Sequence, residues 1–390
     1  MNRLILGLLI VAQQVSPQCG SSSTASVQNM VPLAINAGPT GDAFNTAFAT
    51  VNICPAGQTT GCQSVDGVMV DTGSTGLRIL SSALNVSLTP QTTSTGARVV
   101  ECFPFQDGFT WGAVANADVK LGTYQASNIP IQVIGGSQVP APPDACTSGG
   151  MPSEDTLNDL GANGVLGIGL FRQDCGFGCT VGGSSNPNIY FGCNGSNCQP
   201  ITQSLTVQLL NPVWTFSSDN NGTAIQIATV PANGQSQATG LLLFGIGTQS
   251  NNSLGSATVF TVDGSGNMTT KYGSTTVPGF IDSGSNGLYF LDSATTQIQA
   301  CNSNKDFYCP STTLNLSATN TSTTGRVNTV NFSIGNAETL LNQPFSLLPQ
   351  VGGSFAGYFD WGMPFFFGRT VFTGIEGETT PGGTGPYFAY

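Results

Sequence analysis

Two matched stretches decide the fold of this chain: Val70-Asp71-Thr72-Gly73-Ser74-Thr75-Gly76-Leu77 and Ile281-Asp282-Ser283-Gly284-Ser285-Asn286-Gly287-Leu288. They lie 211 positions apart (282 − 71), and they share Asp, both Gly, Ser and Leu at equivalent places. A lone Asp-Thr-Gly is a common turn, but two copies with matched flanks are hard to obtain by chance. A duplicated turn of this kind can bring two carboxyl groups face to face. Two close carboxyl groups share a proton, which provides an acid and a base at one site.

The composition indicates a folded protein with few charges. The 390 residues suffice for two or three domains or for one large unit with two lobes. Hydrophobic residues make up 39% and charged residues 7%, which does not fit disorder, because disordered chains are charged and poorly hydrophobic. A net charge of −11 with only nine Lys and Arg argues against a nucleic-acid partner.

The chain contains no His. This excludes Ser-His and Cys-His nucleophilic sites and every metal site that needs His. A Ser-Lys dyad remains conceivable, but Lys120, Lys271 and Lys305 sit in no recognisable motif. Carboxylates are therefore the available acid and base groups, and we predict neither a metal nor an organic cofactor.

The N-terminus has the pattern of an export signal. A basic start, Met1-Asn2-Arg3, precedes a short apolar run from Leu4 to Ala12, which is too short for a stable membrane anchor. We assign residues 1–19 to a signal peptide and residues 20–30 to a linker. Cys19 is a candidate for bacterial lipidation, although Ser16-Pro17-Gln18 matches the usual recognition box poorly. The predicted location is the periplasm, the cell envelope as a lipoprotein, or the medium.

The other ten cysteines predict disulfides in an oxidising compartment. Their spacing suggests five pairs: Cys54/Cys62, Cys102/Cys146, Cys175/Cys179, Cys193/Cys198 and Cys301/Cys309. The rival interpretation is a zinc site built from Cys175, Cys179, Cys193 and Cys198. Its spacing is not the usual one for such sites, and the predicted export favours disulfides.

Short apolar runs broken by Gly, Pro, Asn and Asp predict an all-β chain. The duplicated motif divides it into a first lobe, residues 31–210, and a second lobe, residues 211–390. Each lobe also has an apolar run that ends in Gly well after its Asp, namely Gly164–Gly169 and Phe365–Gly368. We expect each run to form a strand that supports the Asp turn from behind, because a strand ending in Gly allows close backbone approach.

With these motifs the chain resembles the pepsin-type, two-lobed aspartic proteases over about residues 31–390. The resemblance implies an all-β, double-psi barrel architecture with a central cleft. The chain also resembles a bacterial exported family of unknown function, DUF3443. The segments that carry this second resemblance include Asp174-Cys175-Gly176, Asp360-Trp361-Gly362 and the ending Gly385-Pro386-Tyr387-Phe388-Ala389-Tyr390.

The pepsin-type resemblance implies roles for both turns. Asp71 and Asp282 would be the catalytic pair. Gly73 and Gly284, each two residues after its Asp, would let the backbone turn tightly and offer its N–H to the carboxylate. The remaining turn residues would support them: Thr72 and Ser283 by joining the two turns, and Ser74 and Ser285 by orienting the outer carboxylate oxygens.

Three further residues depart from the family pattern or add to it. Trp111, followed by Gly112, stands where the family has a Tyr-Gly hairpin that closes over the substrate, so Trp111 either lines the substrate site or packs as an ordinary core aromatic. Arg78 replaces an aromatic, and it could stack on Trp111, point at Asp71 or lie in solvent. Asp360 is the best third acid, although capping of a loop explains it equally well.

We therefore predict an aspartic endopeptidase that hydrolyses polypeptide at acidic or mildly acidic pH. We expect a monomer, with a polypeptide as its partner and with membrane contact only through lipidated Cys19. An alternative is a non-catalytic exported or cell-surface protein that keeps the fold for binding or structure. A glycosidase also needs two carboxylates, but the matched turns would bring them closer than glycoside chemistry prefers.

Overall fold

The computed structural model describes residues 29–137 and 139–390. The predicted signal peptide, its lipidation candidate Cys19 and almost all of the predicted linker lie outside these residues. The strands before residue 211 are β1 (Met30–Ile35), β2 (Ala47–Pro55), β3 (Gln63–Asp71), β4 (Thr75–Leu80), β5 (Thr89–Pro90), β6 (Arg98–Pro104), β7 (Phe109–Leu121), β8 (Tyr124–Ile134), β9 (Gly164–Ile168), β10 (Tyr190–Asn194) and β11 (Asn197–Pro200).

The strands of the second half are β12 (Gly222–Ile227), β13 (Ala238–Phe244), β14 (Val259–Thr261), β15 (Met268–Tyr272), β16 (Thr275–Ile281), β17 (Leu288–Leu291), β18 (Leu314–Thr321), β19 (Val327–Ile334), β20 (Gly352–Gly353), β21 (Phe355–Trp361), β22 (Thr370–Gly374), β23 (Thr379–Thr380), β24 (Gly383–Thr384) and β25 (Tyr387–Ala389). The α-helices are α1 (Asp144–Thr147), α2 (Leu157–Leu160), α3 (Ser293–Thr296) and α4 (Ala337–Leu341), and the 3₁₀ turns are Ser81–Ala83, Gly176–Thr180, Val213–Thr215 and Met363–Phe366. The prediction of an all-β chain is confirmed.

The same three-strand arrangement occurs once in each half. In the first, β3 pairs in parallel with β9, and β9 pairs antiparallel with β4. In the second, β16 pairs in parallel with β21, and β21 pairs antiparallel with β17. A later strand thus lies between the two strands that flank each Asp turn. The arrangement holds each turn at the end of a buried strand.

One strand near the start of the described chain connects the halves. β1 pairs with β13 along its whole length, from Met30 opposite Leu243 to Ile35 opposite Ala238, and it also pairs with β2. A 16-stranded sheet therefore includes strands of both halves, while seven strands of the second half form a sheet of their own. The main buried cluster extends across both halves, so their relative position is fixed by backbone hydrogen bonds and by packing.

All five predicted disulfides are present. They join Cys54 to Cys62, Cys102 to Cys146, Cys175 to Cys179, Cys193 to Cys198, and Cys301 to Cys309. The zinc interpretation is therefore wrong, because its four cysteines are oxidised in two separate bonds. Such bonds fit an exported protein. Among the described residues, no helix is long and apolar enough to cross a membrane.

The predicted supporting strand at Phe365–Gly368 is not a strand. Met363–Phe366 forms a 3₁₀ turn with Pro364 near its start, and Pro fits there because its missing N–H would be unpaired anyway. The supporting strand of the second half is β21 instead. It ends at Trp361, which lies opposite Ile281, and Gly362 follows. In the first half the prediction was right: Gly167 of β9 lies opposite Asp71.

Candidate active site

The two Asp turns meet at the centre of the molecule and hold each other by matched hydrogen bonds. The backbone N–H of Thr72 donates to Ser283 Oγ at 3.1 Å, and the N–H of Ser283 donates to Thr72 Oγ1 at 2.9 Å. Each hydroxyl also donates across the gap: Thr72 Oγ1 to the carbonyl of Ile281 at 3.2 Å, and Ser283 Oγ to the carbonyl of Val70 at 2.7 Å. All four contacts are buried, so they fix the distance between the turns.

Each carboxyl group is oriented by its own turn. Asp71 Oδ1 accepts from the N–H of Gly73 at 2.7 Å and of Ser74 at 3.1 Å, and Ser74 Oγ donates to Asp71 Oδ2. Asp282 Oδ1 accepts from the N–H of Gly284 at 2.7 Å, and Ser285 Oγ donates to Asp282 Oδ2 at 3.0 Å. Each serine thus bonds the outer oxygen of its Asp.

The two carboxyl groups approach each other across the two turn glycines. A Cβ on Gly73 would lie 2.7 Å from Asp282 Cγ, and a Cβ on Gly284 would lie 2.8 Å from Asp71 Oδ1. Both distances are too short for a real side chain. Glycine is therefore needed at both positions because the opposing carboxyl group fills the space.

The surroundings of Asp282 favour its protonated form. Burial raises the pKa of Asp282 well above its usual range, and the carboxyl groups of Asp71 and Asp360 raise it further, while the N–H of Gly284 opposes the rise. This is the behaviour of two acids that cannot both ionise easily. The pair can therefore hold one proton, with Asp282 as its favoured site.

A third carboxyl group, that of Asp360, lies beside the pair. Asp360 is 3% exposed, on β21 opposite Phe280 and Tyr289. Burial raises its pKa well above the usual range, and the nearby Asp71 raises it further, with the Ser285 hydroxyl acting in the opposite direction. Trp361 pairs with Ile281 and Leu166 pairs with Val70, the residues just before the Asp of each turn, so Trp361 and Leu166 are equivalent. The residue before each is then equivalent too, so Asp360 corresponds to Val165 of the first half.

The three acids line a cleft of about 620 Å³ between the halves. Its walls include residues of both halves: Met69, Asp71, Phe105, Gln106, Asp107, Met151, Glu154, Asp159, Leu160, Val165, Asp282, Gly284, Ser285, Asn286, Tyr289, Asp306, Phe307, Ser354, Phe355 and Asp360. Seven of these are Asp or Glu, and among the described lining residues there is no Lys or Arg. Sequence reasoning missed most of the acidic wall, because its members come from separate loops with no shared motif.

Trp111 is not at the cleft. It is 4% exposed, its Nε1 donates to the carbonyl of Pro140 at 2.7 Å, and its ring packs edge-on against Phe191. Gly112 is the next residue of β7 and pairs with Ile134 of β8. The cleft is lined instead by the tip of the β6–β7 hairpin, residues 105–107. Neither Trp111 nor Gly112 lines the cleft, so they do not form the substrate flap that the resemblance implies, and Trp111 packs in the core, as in the second of the two interpretations.

Arg78 fits none of its three predicted roles. It is fully buried and forms ion pairs with Glu101 at 2.7 Å and with Asp174 at 3.2 Å. Its guanidinium lies 3.6 Å from the ring centroid of Phe103. Arg78 does not line the cleft, and its charge is compensated by these two buried acids, so loss of Arg78 would leave them buried without a cation.

One group of metal-ligand residue types occurs among the described residues, formed by Cys301, Cys309 and Glu338. The two cysteines are joined as a disulfide, so they offer no thiolate to a metal. The Asp pair lies elsewhere.

A family model, described as a protein of unknown function, DUF3443, matches residues 25–390. The chain belongs to the DUF3443 family. Comparison with curated proteins gives no match. Among solved structures, this DUF3443 protein is similar to the aspartic proteinase from Irpex lacteus, with a TM-score of 0.51 and 16% identity over 92% of this chain and 96% of that chain. The predicted pepsin-like fold is confirmed, and at this identity the likeness concerns the fold alone.

Proposed function

We propose that this DUF3443 protein is an aspartic endopeptidase. The observation that carries the proposal is the symmetric contact of Asp71 and Asp282, each held by its own turn and each packed against the glycine of the other turn. A pair of carboxyl groups that shares a proton provides the base and the acid that hydrolysis of a peptide bond requires. The fold-level likeness to an aspartic proteinase agrees with this chemistry.

In the proposed mechanism the shared proton resides on Asp282, because burial and two neighbouring carboxyl groups raise its pKa. Asp71 takes a proton from a water molecule held between the two groups, and that water attacks the carbonyl carbon of the substrate. Asp282 donates its proton to the carbonyl oxygen, which gives a tetrahedral diol. As the diol collapses, the C–N bond breaks, Asp71 gives the proton that it took from water to the leaving nitrogen, and Asp282 recovers a proton from a diol hydroxyl. The Thr72–Ser283 contacts keep the two groups at a fixed separation during this exchange.

The shape of the site supports a polypeptide substrate. The cleft lies between the halves and is lined by both, which fits an extended polypeptide. We further propose that the protein acts after export, since five disulfides require an oxidising compartment to form.

The test is cleavage of an unfolded protein by the purified chain between about pH 3 and about pH 7, the range in which carboxyl groups titrate. We expect cleavage at acidic pH that a statine-type transition-state mimic blocks and that both Asp71→Asn and Asp282→Asn abolish. Asp42→Asn removes an exposed carboxylate outside the cleft lining and is the matched control. Well-folded protein that cleaves nothing would instead favour the non-catalytic binding role, and cleavage by Asp71→Asn would refute the mechanism.

A further inference from the structure

The acidic wall of the cleft contains one side chain whose hydrogen bonding is incomplete. Asp360 is 3% exposed and lines the cleft, and its Oδ1 atom finds no hydrogen-bond donor among the described residues. An unpaired buried oxygen of this kind costs free energy, more so when the group is ionised. At the equivalent place in the first half the chain has Val165, so the architecture itself does not require a carboxyl group there.

Other carboxyl groups converge on the same part of the cleft. Tyr289 lies opposite Asp360 on the neighbouring strand, and Asp360, Asp107 and Asp306 all act on its hydroxyl and raise its pKa, after the larger effect of burial. Asp107 comes from the β6–β7 hairpin and Asp306 from the loop after α3, and both are exposed. Three acids from three separate segments therefore line the cleft together with Tyr289.

This part of the cleft also has apolar surface. Phe307 and Phe355 line the cleft, and the ring centroids of Tyr289 and Phe307 are 5.9 Å apart. A lysine or arginine side chain combines an aliphatic stem with a charged end, so it can pack its stem on aromatic rings and direct its charge to a carboxylate.

We propose that the cleft binds a lysine or arginine side chain of the polypeptide substrate, with Asp360 as its buried anchor and Asp107 and Asp306 as the acidic rim. This inference rests on the proposed endopeptidase function and specifies its substrate. The cation supplies the donor that Asp360 Oδ1 lacks. Asp360 is a specificity residue, distinct from the pair that performs hydrolysis.

The test uses fluorogenic octapeptides with a central Phe-Phe bond. Each of the six remaining positions is substituted in turn, once with Lys and once with norleucine, so that the peptides form matched pairs. Norleucine has nearly the shape of Lys without its charge. At one or more positions we expect kcat/KM to be at least about tenfold higher for the Lys peptide than for the norleucine peptide. A tenfold ratio is the effect expected of one well-placed charge pair. Asp360→Asn and Asp360→Val should bring the ratio of kcat/KM between the Lys and norleucine peptides close to one, a ratio that any loss of rate shared by the two peptides leaves unchanged. Asp42→Asn should preserve it.

Binding separates failure of the inference from failure of the proposed function. The Asp71→Asn protein should bind the preferred Lys peptide about tenfold more tightly than its norleucine counterpart, and Asp71→Asn/Asp360→Asn should bind the two alike. If wild-type protein cleaves both peptides equally at every position, the inference is overturned and the endopeptidase remains. If nothing is cleaved but the Lys peptide binds selectively, the inference holds for a binding cleft. Equal binding of both peptides by the Asp71→Asn protein overturns it irrespective of activity.

Discussion

Thr72 and Ser283 exchange hydrogen bonds between backbone and side chain across the centre of the molecule, N–H to hydroxyl in both directions, at 3.1 and 2.9 Å. They stand 211 residues apart, and each hydroxyl also donates to a carbonyl of the other half. The contact makes the two halves one mechanical unit at the point where the carboxyl groups meet. Every proposal about this site depends on that contact, because the separation of two acids determines whether they share a proton.

Removing one hydroxyl should loosen the site. Thr72→Val keeps the side-chain shape but removes the donor to the Ile281 carbonyl and the acceptor for the Ser283 N–H. We expect the free energy of unfolding to fall by about 1–3 kcal/mol, because buried polar groups lose their partners. We also expect kcat to fall. Denaturant unfolding and peptide cleavage measure the two effects. Thr319→Val, on the surface-facing Thr319–Thr329 pair, should change stability by less than about 0.5 kcal/mol.

Gly284→Ala should remove activity while preserving the fold. The new methyl group would collide with Asp71 Oδ1 at 2.8 Å and would push the two carboxyl groups apart. A displacement of about 1 Å at a reacting group can lower the rate about 100-fold, and we expect at least that loss in kcat/KM. Gly264→Ala is the matched control, since nothing lies within 4 Å of its new Cβ. Full activity of Gly284→Ala would show that the two carboxyl groups need not be in contact.

Glu154 should make stability depend on pH. Burial raises its pKa to about 8, with contributions from Asp107 and Asp159, against an ordinary value of 4.5. The folded protein therefore holds a proton that the unfolded chain releases, so this contribution is complete below about pH 4.5 and is lost as pH rises toward about 8. Within that window the loss is at most about 1.4 kcal/mol per pH unit.

Glu154→Gln should remove this dependence. The variant should match wild-type stability near pH 4.5 and exceed it increasingly at higher pH, up to about 8. Urea unfolding at a series of pH values measures the difference. Glu376→Gln, an exposed residue outside the cleft lining, should show no such trend. A constant difference between Glu154→Gln and wild type would contradict the assignment.

The disulfides should stabilise the folded protein to different extents, according to the length of chain that each one closes. Cys102–Cys146 spans 44 residues, whereas Cys175–Cys179 spans four. Chain entropy predicts losses of about 4 and about 2 kcal/mol respectively when each pair is replaced by alanines. Thermal unfolding of the two double variants tests the order, and the reverse order would mean that native contacts, rather than the unfolded chain, determine the effect.

The sequence by itself determined the parts of this protein that depend on neighbouring residues. Asp followed by a hydroxyl residue and Gly encodes a turn whose own N–H groups bond the carboxylate, and repetition of that turn predicted the paired halves. Closely spaced cysteines likewise predicted four of the five disulfides, and the fifth, Cys102–Cys146, followed because these two cysteines were left over.

Only the tertiary structure decided what depends on strand register. Phe365-Phe366-Phe367-Gly368 and Trp361-Gly362 both read as apolar residues before Gly, but pairing of Trp361 with Ile281 selects the second as the support of the Asp turn. Because side chains alternate along a strand, that register also determines that Asp360 lines the cleft. The acidic wall has the same origin: its members come from distant segments, and only folding brings their charges together.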